Sequence, residues 1–424
     1  MHYFKWFATL FWGAYAGAVC TLFFSVADQP LARAGILPVG ATTAAVGALL
    51  PFLARHLITH TTRQRSLYLF SIWRRNSLPL FAFLSVATIS IAGAILPGSF
   101  WGEGGKWIFL CSYGFVLTLL AHCVGAVSVV ARYLPLYTAF SLVLLLTSLW
   151  YDMSYPGTFS ELNNRAAGFP GNANFAALVS VMLCSVSLTY DRLGSAKRDA
   201  FFLVITALHV LGTMSRSGLL NYGLMLALYL YFRFVRDGLE VRGIFRFTAA
   251  LAAGVLLAGV IALRSGATEL LFSAENRLSR FASNQQVDDG SAASRLAAAK
   301  DSLRLINASP VLGHGTGHAR TMAELPHNLY LQQWVNNGVL GLISYVLLLG
   351  AAWYTFYRRG SRQGQAFIAV TALGSVFSHN ILDQRPFLLL LGIVLVLSAR
   401  HRDPTVVHYS PANCRYSPAA RAAP

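Results

Sequence analysis

Long apolar runs, each ended by a few polar or basic residues, recur along almost the whole chain. They fall near residues 4–26, 34–54, 78–96, 105–130, 133–150, 172–190, 197–214, 217–235, 244–263, 329–357, 364–382 and 384–399. A helix needs roughly 17–25 consecutive apolar residues to cross the hydrocarbon of a bilayer. The pattern therefore predicts an all-α polytopic membrane protein with about twelve transmembrane helices.

Three interruptions exceed a turn. Residues 55–77, "RHLITHTTRQRSLYLFSIWRRNS", form a basic link suited to an anionic membrane surface. Residues 151–171 form a second link, and residues 264–328 a loop long enough to imply a function. Within that loop the sequence predicts an amphipathic helix over about 291–307. Ser291 would cap it, Leu296, Ala299, Leu303 and Ile306 would make its apolar stripe, and Pro310 would stop it. The chain thus divides into spans one to nine (1–263), the loop (264–328), spans ten to twelve (329–402) and a tail (403–424) rich in Pro, Ala and Arg that is predicted to be disordered. There is no internal repeat.

Composition agrees with this division: 55% of residues are hydrophobic, only 12% are charged, and the mean hydropathy is +0.54. A net charge of +17 could suggest nucleic acid, but its distribution removes that reading. Most of the 33 basic residues and few of the 16 acidic ones lie on one set of connections, the positive-inside signature. Both termini are expected in the cytoplasm and the long loop outside. The first apolar run is too long for the core of a cleavable leader and reads as the first span. Cys20, Cys111, Cys123 and Cys184 fall within spans and Cys414 in the tail, so none is placed for a disulfide in the outer loops.

Four polar features remain, all on the expected outer face. Arg216, in "TMSRSGLL", sits at a tight turn, where an ionisable group is either functional or a snorkelling helix end. Asn172 and Asn174, in "GFPGNANFAAL", either cap a helix or face a substrate. Arg295 lies on the shoulder of the loop helix, with Arg280 in "RLSRFAS" as a competitor; either could equally be solvated. His327 and Asn328 open the tenth span in "ELPHNLYLQQWVNNGVLG", followed by Gln332, Gln333, Asn336 and Asn337 with no evident role. His314 and His318, in "GHGTGH", raise the question of a metal, but the glycines argue against one helix holding both, so no metal is expected. Arginines with a histidine suit phosphoryl oxygens: Arg offers a bidentate fork, and a neutral His is a ready general base. Nucleotide donors are not expected outside the inner membrane. A sugar on a polyprenyl diphosphate arrives there already activated.

The segment "SRLAAAKDSLRLINASPVLGHGTGHA" followed by "PHNLYLQQWVNNGVLGLISY" resembles the signature region of bacterial O-antigen ligases and their polymerase relatives. "GNANF" is similar to that family's Asn-containing start of a span, and "SRSG" to its Arg turn. The similarity covers residues 291–350 most clearly. It implies a membrane-embedded, GT-C-type, metal-independent inverting glycosyltransferase of the bacterial inner membrane. It would work on the periplasmic face without a cofactor. It would move O-antigen from undecaprenyl diphosphate to lipid A–core oligosaccharide, with membrane lipids as its surroundings. By the same resemblance, His327 activates the acceptor hydroxyl, Arg216 and Arg295 hold the diphosphate, and Asn328 helps to position substrate. His314 departs from the family's usual apolar residue within the Gly-x-Gly stretch. An O-antigen polymerase or a protein O-oligosaccharyltransferase would share these motifs. A transporter of lipid-linked glycan should carry charges deep in several spans, where His209 is the main ionisable residue.

Overall fold

The structure, a computed structural model, describes residues 2–36, 41–59, 71, 73–96, 101–155, 157–160, 166–190, 195–235 and 290–400. The predicted ninth span, Arg280 with the first part of the long loop, and the tail lie outside the described residues. Every regular element among the described residues is helical. The helices are α1 (His2–Phe24), α2 (Asp28–Arg33), α3 (Ala41–Thr59), α4 (Ser77–Gly93), α5 (Trp101–Gly125), α6 (Ser128–Ser154), α7 (Ala173–Ser187), α8 (Ala196–Gly212), α9 (Arg216–Leu230), α10 (Gly290–Ala308), α11 (Leu329–Arg359), α12 (Arg362–Gly374) and α13 (Arg385–Arg400). A π turn, Tyr231–Val235, extends α9. Each apolar run that is described contains a helix, with one run, 364–382, helical over only part of its length. Among the described residues, Phe7–Phe24, Val129–Ser154 and Leu329–Arg359 are long and apolar enough to cross a membrane by length and composition, and five shorter apolar helices accompany them. The chain is a helical membrane protein.

Apolar residues all round a helix require neighbours on every side. In α7 every residue but Asn174 is buried, and it packs on α6, α8, α9 and α12. A second group joins α4, α5, α11 and α13. Gly392 of α13 lies against Ala121 of α5, where an added Cβ would come within 2.5 Å. One end of the bundle is fastened by arginines. Arg359 donates to Leu395 O and Arg75 O, Arg362 to Tyr190 O and Phe232 O, and Arg233 to Thr189 O while pairing with buried Asp199. At the other end Arg385 pairs with buried Asp28. There too, Asp152 accepts the N–H groups of Phe159, Ala167 and Gly168, tying those residues to the end of α6.

Two expectations change. The run 364–382 is helical only to Gly374, because Ser375 turns its hydroxyl back to Thr371 O and gives its carbonyl to Leu329 N of α11. The loop helix forms over Gly290–Ala308, but its buried face is Ala298, Ser302 and Ile306. Leu296 and Leu303 of the expected stripe are 58% and 49% exposed. Small residues let α10 lie close on α11, where Ile306 meets Val335 and Ala319.

Helix α11 breaks at Asn337 and Gly338, and Gly338 adopts φ 64°, ψ −161°, a region essentially restricted to glycine. The carbonyls released by the break take new donors: His314 N to Val335 O at 2.9 Å and Gly315 N to Asn336 O at 2.8 Å. In return Val339 N reaches Pro310 O at 3.0 Å. Both sides of the contact need glycine. A Cβ on Gly338 would stand 2.0 Å from Val311 O, and one on Gly313 2.4 Å from Gly338 N. Gly338→Ala should therefore destabilise the protein by about 3 kcal/mol or more. Thermal unfolding in detergent measures this. Gly223→Ala, where a Cβ meets nothing within 4 Å, serves as the control and should be neutral.

Candidate active site

The site forms where α11 begins. Asn328 caps that helix, its Oδ1 accepting Tyr330 N at 2.9 Å and Leu331 N at 3.2 Å. Leu329 N donates to Ser375 O, and Tyr330 OH to Ala372 O, so the head of α11 is tied to the end of α12. His327 immediately precedes the cap, half-buried. Helix α10 lies alongside, and Ser294 Oγ donates to Glu324 Oε2 at 2.9 Å, fixing its start against the segment that leads to His327. These ties bring Arg295, His327 and Asn328 onto one open cavity of about 140 Å³, whose remaining wall is Ala299, Pro326, Leu331, Val376 and Phe377.

The electrostatics favour a neutral imidazole. Burial, reinforced by the charge of Arg295, pulls His327 below its ordinary value, and Glu324 acts in the opposite sense. His379, absent from the sequence expectations because it fell within a supposed span, stands 5.4 Å away between ring centroids at an interplanar angle of 61°. Burial, then His327 and Arg320, push it down to about 4. The cavity therefore presents cationic arginine beside uncharged histidine. That combination can attract an oxyanion and accept a proton.

Arg216, Asn172 and Asn174 lie at the same end of the bundle but not on the cavity wall, and Arg280 lies outside the described residues. Arg216 is the first residue of α9 and is exposed. Its turn is tightly made: Met214 takes a positive φ of 51°, and Ser215 Oγ accepts Gly218 N at 3.0 Å. Asn174 Oδ1 receives Ser215 Oγ at 2.8 Å and Ser217 Oγ at 3.4 Å, so it holds the Arg216 turn onto α7. Asn172 caps α7, accepting Asn174 N and Phe175 N. Gly374 lies against Leu178 of α7, which places the α7 start near the α12 end that carries the cavity.

The unexplained amides now divide. Asn336 Oδ1 accepts Ala319 N at 2.8 Å, and the Asn337 amide lies 2.7 Å from Thr316 Oγ1, which also donates to Ser90 O. Both hold the glycine-rich segment into the break of α11. Gln332 and Gln333 are buried, and their amides find no hydrogen-bond partner among the described residues. His314 and His318 stack at 4.9 Å, and His314 Nε2 sits 2.7 Å from Leu305 O, so this pair packs the loop.

Titration checks the charge pattern. Because Arg295 lowers His327 and Glu324 raises it, Glu324→Gln should move the His327 midpoint further below its ordinary 6.5, and Arg295→Gln should move it up. Histidine NMR of the labelled protein in detergent reads both. A midpoint insensitive to Arg295 would refute the placement of that guanidinium beside the imidazole.

Residues 201–346 match the family model described as O-antigen ligase. A comparison with curated proteins finds no match. The matched stretch holds the Arg216 turn, α10 with Arg295, the glycine-rich segment and the head of α11 with His327. The stretch that is similar to the O-antigen ligase family is therefore the one that holds the candidate site.

Proposed function

We propose that the protein is an O-antigen ligase of the bacterial inner membrane, transferring glycan from undecaprenyl diphosphate to lipid A–core oligosaccharide. The observation that carries this reading is the meeting of His327 and Arg295 on one cavity at the head of α11. The acceptor hydroxyl oxygen attacks the anomeric carbon from the face opposite the diphosphate. Its proton passes to His327, the carbon–oxygen bond to the diphosphate breaks, and the electron pair leaves with the phosphate. Arg295 stabilises the charge that develops there, and Arg216, at the same end of the bundle, engages the diphosphate when donor is bound. One displacement inverts the anomeric centre, and the reaction runs without a metal because the arginines carry the leaving-group charge.

The same reading sets twelve spans in a GT-C-type arrangement, with residues 244–263 as the ninth. Both termini lie in the cytoplasm and residues 264–328 in the periplasm, with the cavity opening to that side. Asn174 serves by holding the Arg216 turn, and Asn172 and Asn328 serve first as caps, with their amide nitrogens toward substrate. Arg280 is the further candidate for the diphosphate.

Reconstitution of the purified protein with undecaprenyl-diphosphate-linked O-antigen and lipid A–core tests the proposal. The wild type should produce glycan-bearing lipid A–core. His327→Ala should lower the rate about 10²–10⁴-fold, the contribution expected of a general base. Arg295→Ala should cost about 10²–10³-fold, the range typical of losing one donor to a developing oxyanion. Elongation of the lipid-linked glycan without transfer to lipid A–core would assign a polymerase instead. Near-normal transfer by His327→Ala would remove the base. In EDTA the rate should stay within about twofold, and a loss restored by a divalent ion would overturn the metal-free step.

A further inference from the structure

The loop between α12 and α13 supplies a histidine to which the family match, ending at residue 346, does not extend. Its path is fixed at both ends. Ser375 is held by Leu329 N and by Tyr345 OH, which lies 2.5 Å from Ser375 Oγ. Arg385, the first residue of α13, is paired with buried Asp28. Between these anchors Val376 and Phe377 form part of the cavity wall, and Ser378 Oγ donates to Asn380 Oδ1 at 2.8 Å. His379 is thereby held with its ring 5.4 Å from that of His327. Its Nδ1 is buried and finds no hydrogen-bond partner among the described residues.

A buried imidazole nitrogen without a partner is costly, and native proteins keep few such groups. The partner can arrive with a ligand. The position beside His327 restricts what that ligand is. The guanidinium of Arg295 serves an anion, whereas a neutral imidazole nitrogen suits a neutral hydroxyl. The acceptor, an oligosaccharide, presents hydroxyl groups on adjacent ring carbons, so one can approach His327 while its neighbour approaches His379. We propose that His379 is a substrate-contacting residue on the acceptor side of the cavity, where its Nδ1 hydrogen-bonds a sugar hydroxyl next to the one that His327 deprotonates. This assignment rests on the glycosyl-transfer reading above. The imidazole stays neutral for the reasons already given, so it can serve as acceptor or donor without adding a third positive charge beside Arg295 and Arg320.

Two substitutions separate hydrogen bonding from packing. His379→Phe keeps the ring and removes both nitrogens; His379→Gln keeps a polar group and removes the ring. With the full-length protein in vesicles, His379→Phe should raise the acceptor KM about tenfold, the usual effect of one lost hydrogen bond. The donor KM should stay within about twofold, and His379→Gln should recover most of the loss. A Phe variant with wild-type acceptor KM would overturn the proposal. So would a Gln variant as impaired as Phe with both KM values raised, which would mean packing alone.

Binding without turnover isolates this inference from the function it rests on. On a His327→Ala background, fluorescently labelled lipid A–core oligosaccharide should bind about tenfold more weakly when His379→Phe is added. If that oligosaccharide binds and the second substitution changes nothing, the role of His379 fails while the ligase reading stands. If the wild-type protein neither binds lipid A–core nor glycosylates it, the reading of the acceptor fails, and His379 with it.

Discussion

The break in α11 is the constraint from which the rest of the site follows. A helix that stops pairing at Asn337 and Gly338 leaves carbonyls without their intrahelical donors. A buried carbonyl left without a donor costs about 1–3 kcal/mol, so a second segment must supply N–H groups. His314 and Gly315 do so, and Val339 takes Pro310 O in return. Only glycines allow that approach, at Gly313 from one side and Gly338 from the other. Once Pro310 and Gly313 are fixed, α10 has no freedom of register, because it ends at Ala308. Arg295 is carried on that helix, and His327 on the segment it flanks. The meeting of imidazole and guanidinium is a consequence of how a broken helix is repaired.

The charge around the cavity complements this geometry. Burial and Arg295 act together on His327, so the resting imidazole is uncharged and ready to take a proton. An anionic diphosphate would reverse part of that effect by offsetting the arginine charge, which strengthens the base when donor is present. The cavity without donor thus holds a weaker base than the loaded one. Under the proposed glycosyl transfer, a base that gains strength only beside its donor would have less tendency to hold a proton between turnovers, and proton uptake would be coupled to the arrival of the group that leaves.

The sequence pattern placed nearly all the helices, because an apolar run is a local signal and the bilayer's thickness fixes its length. It also singled out His327 and Asn328 as candidates, since polar groups at the start of a span stand out against their surroundings, and Arg295 on the shoulder of the loop helix. Other residues were hidden for physical reasons. His379 lay within an apolar run whose helix ends early at Gly374, and that end is set by Leu329, which is distant in sequence. The face of α10 was misjudged because leucines outweigh alanines in any apolar stripe, whereas close approach to α11 favours the small residues. The double role of Asn174, exposed to the chain as a possible cap, needed Ser215 to be visible across 41 residues. Asn336 and Asn337 read as excess polarity for the same reason. Their partners sit in a glycine-rich segment whose path no periodicity describes.

Length resolves the remaining polarity of α11. Its 31 residues rise about 46 Å at 1.5 Å each, whereas the hydrocarbon layer is about 30 Å thick. The far end is fixed by Arg358, Arg359 and the left-handed cap Gly360, residues suited to the headgroup boundary. Measured from there, hydrocarbon accounts for about twenty residues, and the break at Asn337 and Gly338 falls close to the opposite boundary. On the proposed topology Leu329–Asn336 then stands in the polar layer, and within the protein it packs against α10 and the glycine-rich segment. Gln332 and Gln333 cost little there compared with the bilayer centre, and water is close enough to reach them. On that topology the polar start of the helix is the part that leaves the membrane, and the break marks where the span ends and the candidate site begins.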